Sequence, residues 1–306
     1  MHFNYRQKSF PFFLLAFIIF CITSCKFKQL DRKNVSFKNV IGIHYTEVKR
    51  RLYTGKSFDN HGYEVNPEWH MWFISKDSSS IFSPDSNRYL TFPVTLDHDS
   101  LFNTGNTWLR AKVVTKDSMV FQVMEVETNV IYLLRSNVYM TFYADNYIKR
   151  KNLNLADLQK PDRADTIFVK ERSAMADKYP DSVFAAREPV VLKSKSPFVT
   201  VSKQVVERTR SNHYDTSDSY MDPQYDITIH HAYQDFYHSF KALVDVKGNI
   251  TFSKNLVFAF AEDKAQTEHI IKAIIDGYLK AYIGVTPGTT LGIPHTSMIT
   301  FLQVFR

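Results

Sequence analysis

The densest set of metal-capable side chains lies in "TIHHAYQDFYH", residues 228–238, which holds His230, His231, Asp235 and His238, with Asp226 just before it. Such a group could hold zinc or copper. Adjacent histidines on a strand, however, point to opposite faces, and neither HExxH nor CxxC spacing accompanies them. They read first as surface or hydrogen-bonded histidines. "LDHDS" (96–100) offers Asp97, His98 and Asp99 to calcium or to acid–base chemistry, but no Gly-bearing ligand loop follows, and a turn between strands explains it as well. "EWHMWF" places Trp69 and His70 beside Met71 and Trp72. On a curved sheet Trp72 and Trp108 could line an apolar pocket; such residues also serve simply as core. No GxSxG, SxxK, P-loop or GxGxxG pattern is present. No catalytic residue, resident metal or cofactor is therefore assigned.

The remaining reactive residue type is cysteine, at Cys21 and Cys25. Residues 1–10 carry Arg6 and Lys8 and no acid, and residues 11–22 are almost wholly apolar. A basic stretch followed by a short apolar run is the pattern of an export signal, and the run is shorter than the ~20 residues of a spanning helix. Ile22-Thr23-Ser24-Cys25 resembles the lipobox of bacterial lipoproteins. That resemblance implies cleavage before Cys25, a diacylglycerol on its thiol, and acylation of the new amine. Residues 1–24 would be the signal peptide, and Cys25 the lipidation site and membrane anchor. The mature chain would keep no disulfide, so its fold must rest on a hydrophobic core.

The formal net charge is +7, of which the signal holds two charges. The basic residues are scattered, without a run of five, which argues against nucleic acid as a partner. Lys26 and Lys28 flank the anchor and suit anionic head groups. Lys-Phe-Lys after the cysteine, in place of an acidic cluster, points to a periplasm-facing protein of the cell envelope, on the outer membrane.

Residues 25–40 read as a polar tether. From 41 to 148, "EWHMWFIS" (68–75), "RYLTFPVTL" (88–96), "TWLRAKVVT" (107–115), "SMVFQVMEV" (118–126) and "VIYLLRSNVYMTFY" (130–143) are strand-like, separated by "KDSSS", "DHDS", "TKDS" and "ETN" as turns. The short gaps predict an antiparallel β meander, either a curved sheet or a small barrel. Residues 149–187 read as a partly helical linker, with helix expected within 166–184. Residues 188–306 predict an α+β domain, making the chain α+β overall. Within it, 188–206 gives two strand-like pieces, 210–225 a polar loop, and 238–259 a hairpin about Lys247-Gly248-Asn249. Ile270, Ile271, Ile274, Ile275, Tyr278, Leu279 and Tyr282 form one apolar helical face, with Asp263 and Gln266 at capping-box spacing and Gly284 placed to end the helix. "HTSMITFLQVF" (295–305) is a last strand.

The order strand, Asp-Gly turn, strand, helix, Pro-Gly loop, strand resembles the TonB carboxy-terminal domain family over residues 238–306. The matching residues are Val244-Asp245-Val246-Lys247-Gly248-Asn249-Ile250, Val285-Thr286-Pro287-Gly288, Gly292-Ile293-Pro294 and Ile299-Thr300-Phe301. Thr286 stands where the family often has an aromatic residue. The long Pro-rich spacer of the full transducer does not occur, which argues against this chain being the energy-coupling protein. The resemblance implies a ββαβ domain whose sheet edge accepts an envelope protein or peptide partner by strand addition, without catalytic residues. Three functions follow as expectations: a non-enzymatic, lipid-anchored binding or scaffold protein; a lipocalin-like carrier of a small apolar ligand; or a metallohydrolase using 226–238.

Overall fold

The alternation of apolar and polar residues along the strands sets which faces turn inward. In Val138–Ala144, Met140, Phe142 and Ala144 are buried while Tyr139, Thr141 and Tyr143 are not. In His70–Phe73 the buried pair is Met71 and Phe73. A period of two of this kind must curl or stack to hide its apolar side. In the computed structural model, which describes residues 35–128, 130–209, 215–231, 236–258 and 260–305, it curls. The signal segment, Cys25 and Asp235 lie outside the described residues.

The first sheet comprises β1 (Tyr45–Leu52), β2 (His70–Phe73), β3 (Ser78–Ser83), β4 (Arg88–Pro93), β5 (Thr95–Leu96), β6 (Leu101–Thr104), β7 (Thr107–Val114) and β8 (Ser118–Val123). After a small ladder of β9 (Val126–Glu127) with β10 (Val130–Ile131), β11 (Val138–Ala144) completes it. The order is β4-β3-β2-β1-β11-β8-β7-β6-β5, antiparallel throughout. Its two outermost strands are joined through the single residue Val94, so the sheet is nearly closed on itself. "RYLTFPVTL" is thus one run bent at Val94 rather than one straight strand. "KDSSS", expected as a turn, instead opens β3: Ser79 is buried and satisfied by the Thr104 hydroxyl at 2.6 Å, so pairing on both sides outweighs serine's preference for turns. The run 130–143 is interrupted by a turn at 133–135 before β11.

The inside of this sheet is filled. Phe37 stacks on Phe73 with centroids 3.9 Å apart and meets Phe102 at 5.0 Å; Phe102, Phe121 and Phe142 continue the column. Phe37 and Val40 come from the segment expected as a polar tether, which turns through a 3-10 helix at Lys38–Val40 and plugs the sheet. Phe37→Ala is expected to cost about 3–5 kcal/mol, the range for emptying a packed aromatic site, and a urea midpoint equal to the parent's would show that the plug is dispensable.

Residues 145–187 hold helices at Asp145–Arg150, Leu155–Gln159 and Arg163–Ala176. The last begins earlier than expected because Asp162 and Asp165 form a capping box there. Its Val169 and Ala176 pack with Phe58 and Phe184 in a third cluster, between the two sheets' own cores.

Beyond it, β12 (Val191–Ser194), β13 (Val199–Lys203), β14 (Gln224–Ile229), β15 (Tyr237–Val244), β16 (Ile250–Asn255), β17 (Ile283–Thr286), β18 (Thr289–Thr290), β19 (Ile293–Pro294) and β20 (Ser297–Phe305) build the second half. Five of them form a sheet in the order β13-β14-β20-β15-β16, with β14 and β20 parallel; β12 pairs separately with β17. The helix Lys264–Ile274 continues through a π turn at Ile275–Leu279 to Tyr282. Its Ile271, Ile274, Ile275 and Leu279 pack on Phe240, Ala242, Val244, Ile299 and Phe301. Two local expectations differ. Asp263 is the N-cap but makes no side-chain cap bond. The helix ends because Ile283 turns extended, and Gly284 lies within β17. Strand outweighs helix overall, in keeping with an α+β, β-rich fold.

Candidate functional site

The histidines of 226–238 are not brought together. His230 lies just past β14, exposed, with its Nε2 2.9 Å from the Thr200 hydroxyl. His231 is exposed with φ +60°. His238 sits on β15, which β20 separates from β14, and stacks loosely on Phe236. The Asp226 carboxylate accepts from the Gln204 side chain. Among the described residues no three of His, Cys, Asp and Glu are grouped for a metal. Asp97 and His98 form an exposed pair at 2.8 Å in the turn after β5. Trp72 lies on the outside of the sheet, against His44 and Tyr89, while Met71 and Leu109 fill the inside beside it and Trp108. The two tryptophans therefore line no common pocket within the sheet.

What the fold does assemble is a polar cleft of about 380 Å³ between the first sheet and the second half of the chain. One wall starts at β1. A β-bulge interrupts the pairing between Glu47 and Lys49, and Tyr45, Thr46, Glu47 and Val48 are all buried. The Glu47 carboxylate, 0% exposed, accepts from Arg50 Nε (2.8 Å) and Nη2 (2.7 Å) and from the backbone N–H groups of Glu68 (2.9 Å) and Trp69 (3.0 Å). This holds Arg50 by a two-point fork at the cleft wall. Burial alone would lower the guanidinium's pKa; the hydrogen bond and charge of Glu47 outweigh it and raise the value.

The opposite wall is Arg187, in the segment before β12. Its Nε donates to Glu64 Oε2 at 2.6 Å, and its guanidinium lies 4.7 Å above the Tyr220 ring. The Tyr220 hydroxyl accepts the Glu64 backbone N–H at 3.1 Å. Burial raises the pKa of Tyr220, and burial followed by the Asp215 charge raises that of Tyr63, so both phenols keep their protons at neutral pH.

Behind Arg187 a buried chain of bonds runs into the core. The Arg187 backbone N–H donates to Thr290 Oγ1 (3.1 Å), and Thr290 Oγ1 lies 3.0 Å from His295 Nε2. His295 Nδ1 lies 3.0 Å from the Thr296 carbonyl, which can only accept, so Nδ1 carries the proton and Nε2 accepts from Thr290. His295 is fully buried and stacked on Phe184 at 3.8 Å. Burial lowers its pKa below the ordinary value, with the Thr296 carbonyl, Asp177 and Glu188 opposing. The unfolded chain therefore binds the extra proton more readily. The stability this site contributes is complete above about pH 6.5 and is lost as pH falls below it. The melting temperature of the parent is expected to drop between about pH 7 and pH 5 more steeply than that of His295→Gln; parallel curves would remove His295 as the cause.

A second surface feature is the outer edge of β16. That strand pairs only with β15 in the sheet, and the chain leaving it exposes Leu256, Val257, Phe258 (81%) and Phe260 (64%). The edge of β20 that a three-stranded unit would leave open is covered by this chain's own β14.

None of the cleft residues was marked by a motif. Glu47 and Arg50 lie in "YTEVKRRL", and the partners from Glu64 to Tyr220 are ordinary residue types far apart in the chain. Half of that stretch is charged, so neither Glu47 nor Arg50 stands out within it. No protein-family model matches the chain, and no curated protein matches it.

Proposed function

We propose that the chain is a non-enzymatic, lipid-anchored binding or scaffold protein of the bacterial cell envelope. It is held through Cys25, facing the periplasm from the outer membrane, and takes a partner peptide by strand addition. The observation that carries the binding role is the outer edge of β16, which runs into the exposed Leu256, Val257, Phe258 and Phe260. A strand docked there would gain main-chain hydrogen bonds for affinity and an apolar surface for side-chain selection. Lys254 on the same strand helps keep the free edge from pairing indiscriminately. The helix packed over β15, β16 and β20 supports the likeness of 238–306 to the TonB carboxy-terminal family, with β14 as an added strand. The filled interior of the first sheet speaks against the lipocalin-like carrier.

Two experiments test the two halves of the proposal. Cys25→Ala is expected to abolish acyl labelling and to release the protein from membranes, because the acyl chains supply ~0.8 kcal/mol per buried CH₂. Continued labelling of that variant would end the lipoprotein reading. A photo-crosslinking residue at Thr251 or Ser253 is expected to trap an envelope protein in living cells, whereas the same residue at exposed Lys112 on β7 does not. Equal yields at both places would overturn the role of the edge.

A further inference from the structure

The cleft between Arg50 and Arg187 makes a binding demand of its own, independent of the anchor and of the β16 edge. Its volume of about 380 Å³ falls within the ~300–1,000 Å³ of small-molecule sites. The nature of its lining narrows the ligand. Val65 is the one aliphatic residue in that lining, so an apolar ligand would desolvate polar groups without repaying them. An anion is poorly served as well. Arg50 is taken by Glu47, Arg187 by Glu64, and Arg208 by Asp85 at 3.0 Å. The lining itself sets the carboxylates of Glu64, Glu68 and Asp215 against the guanidiniums of Arg50, Arg187 and Arg208, so no net positive charge is left for an anion. Among the described residues a metal ion finds no grouped ligand set.

The lining instead offers fixed donors and acceptors that already neutralise one another. The fork to Glu47 uses Arg50 Nε and Nη2 and leaves Nη1. The bond to Glu64 uses Arg187 Nε and leaves both terminal nitrogens. The Tyr220 hydroxyl accepts from Glu64 N–H and so keeps its own proton to donate. Such groups suit a ligand whose every polar atom both donates and accepts and which carries no charge. That is a hydroxyl-rich molecule, whose adjacent hydroxyls can meet the two faces of an ion pair without breaking it. Tyr63, 37% exposed and part of the same lining, supplies an aromatic ring for the C–H side of such a molecule.

We propose that this cleft binds a neutral saccharide, with Arg50, Glu64, Arg187 and Tyr220 as its polar contacts and Tyr63 as its platform.

Saturation-transfer NMR on the detergent-extracted full chain tests this. The probes are glucose, galactose, mannose, N-acetylglucosamine and their 1,4-linked disaccharides, with glycine and inorganic phosphate as charged alternatives. At least one neutral saccharide is expected to receive saturation. Ser219→Trp puts a large ring into the cleft while leaving every residue of the ion pairs unsubstituted, and is expected to abolish the signal. Arg187→Ala is expected to weaken binding about tenfold or more. Its melting temperature, measured alongside, tells lost contact from lost fold, and Ser219→Trp keeps the test open where Arg187→Ala does not fold. Saturation of no saccharide, transfer to glycine or phosphate alone, or a saccharide signal that survives Ser219→Trp would each overturn the proposal. None of these outcomes bears on Cys25 or on the β16 edge.

Discussion

A chain ending at Pro294 is expected to lose its second sheet and keep its first. β20 is the central strand of the order β13-β14-β20-β15-β16, hydrogen-bonded on both sides. Removing it breaks two ladders at once and takes away Ile299, Phe301 and Val304, each fully buried. Every such side chain contributes ~1.5–3 kcal/mol on burial, so three of them approach the ~5–15 kcal/mol that holds a typical domain together. The deletion also bares Phe240 and Ile271 and leaves the helix without half of the surface it covers. The core of the first sheet shares no residue with that cluster, so its ladders should survive. Amide hydrogen exchange reads both halves in one experiment: protection in β15 should fall to that of an unfolded chain while β8 and β11 stay slow. Slow exchange in β15 after the deletion would make β20 peripheral.

The element that this deletion targets was legible in the sequence because its signals are local. Phe240, Ala242 and Val244 alternate, Ile271, Ile275 and Leu279 recur every four residues, and Gly248 at φ +82° marks the turn of the hairpin. Each such pattern reports on a face that the element itself must bury. The near-closure of the first sheet was less legible. A meander was expected, but whether its ends meet depends on a bend at Val94, inside a run that reads as one strand. Phe37 was hidden for a related reason: among Ser, Lys and Asn it looks like an incidental residue of a tether, and only the column Phe73, Phe102, Phe121 shows what it completes.

The histidines show the converse, sequence adjacency without a shared site. Adjacency in sequence made 226–238 conspicuous, yet β14 and β15 are not neighbours in the sheet, and His230 and Asp226 bond locally to Thr200 and Gln204. The cleft, by contrast, is made from residues 50, 64, 187 and 220, whose proximity arises only when the loop after β1, the stretch before β12 and the short helix Asp218–Met221 meet. No periodicity records that meeting.

Glu47→Ala is expected to be the most damaging single substitution in the first half of the chain. Glu47 sits fully buried beside the β1 bulge. Once there, the carboxylate is the sole acceptor given to the Arg50 fork and to the N–H groups of Glu68 and Trp69. Deleting it leaves a guanidinium of low exposure and two backbone donors without their partner. Breaking a buried ion pair in this way costs ~3–5 kcal/mol, well above the net worth of the intact pair, because the surviving charge must be carried unpaired. Glu47→Gln should recover only part of this: it preserves the shape and one acceptor oxygen but turns an amide N–H₂ toward groups that already donate. The free energies come from urea unfolding followed at Trp69, whose own backbone N–H is among those released. A loss for Glu47→Ala within about 0.5 kcal/mol of zero, the range of ordinary surface changes, would mean that Arg50 finds another partner and that the bulge serves only packing. A loss near the upper figure would mean that β1 gives up strand regularity in order to fix one arginine at the mouth of the cleft.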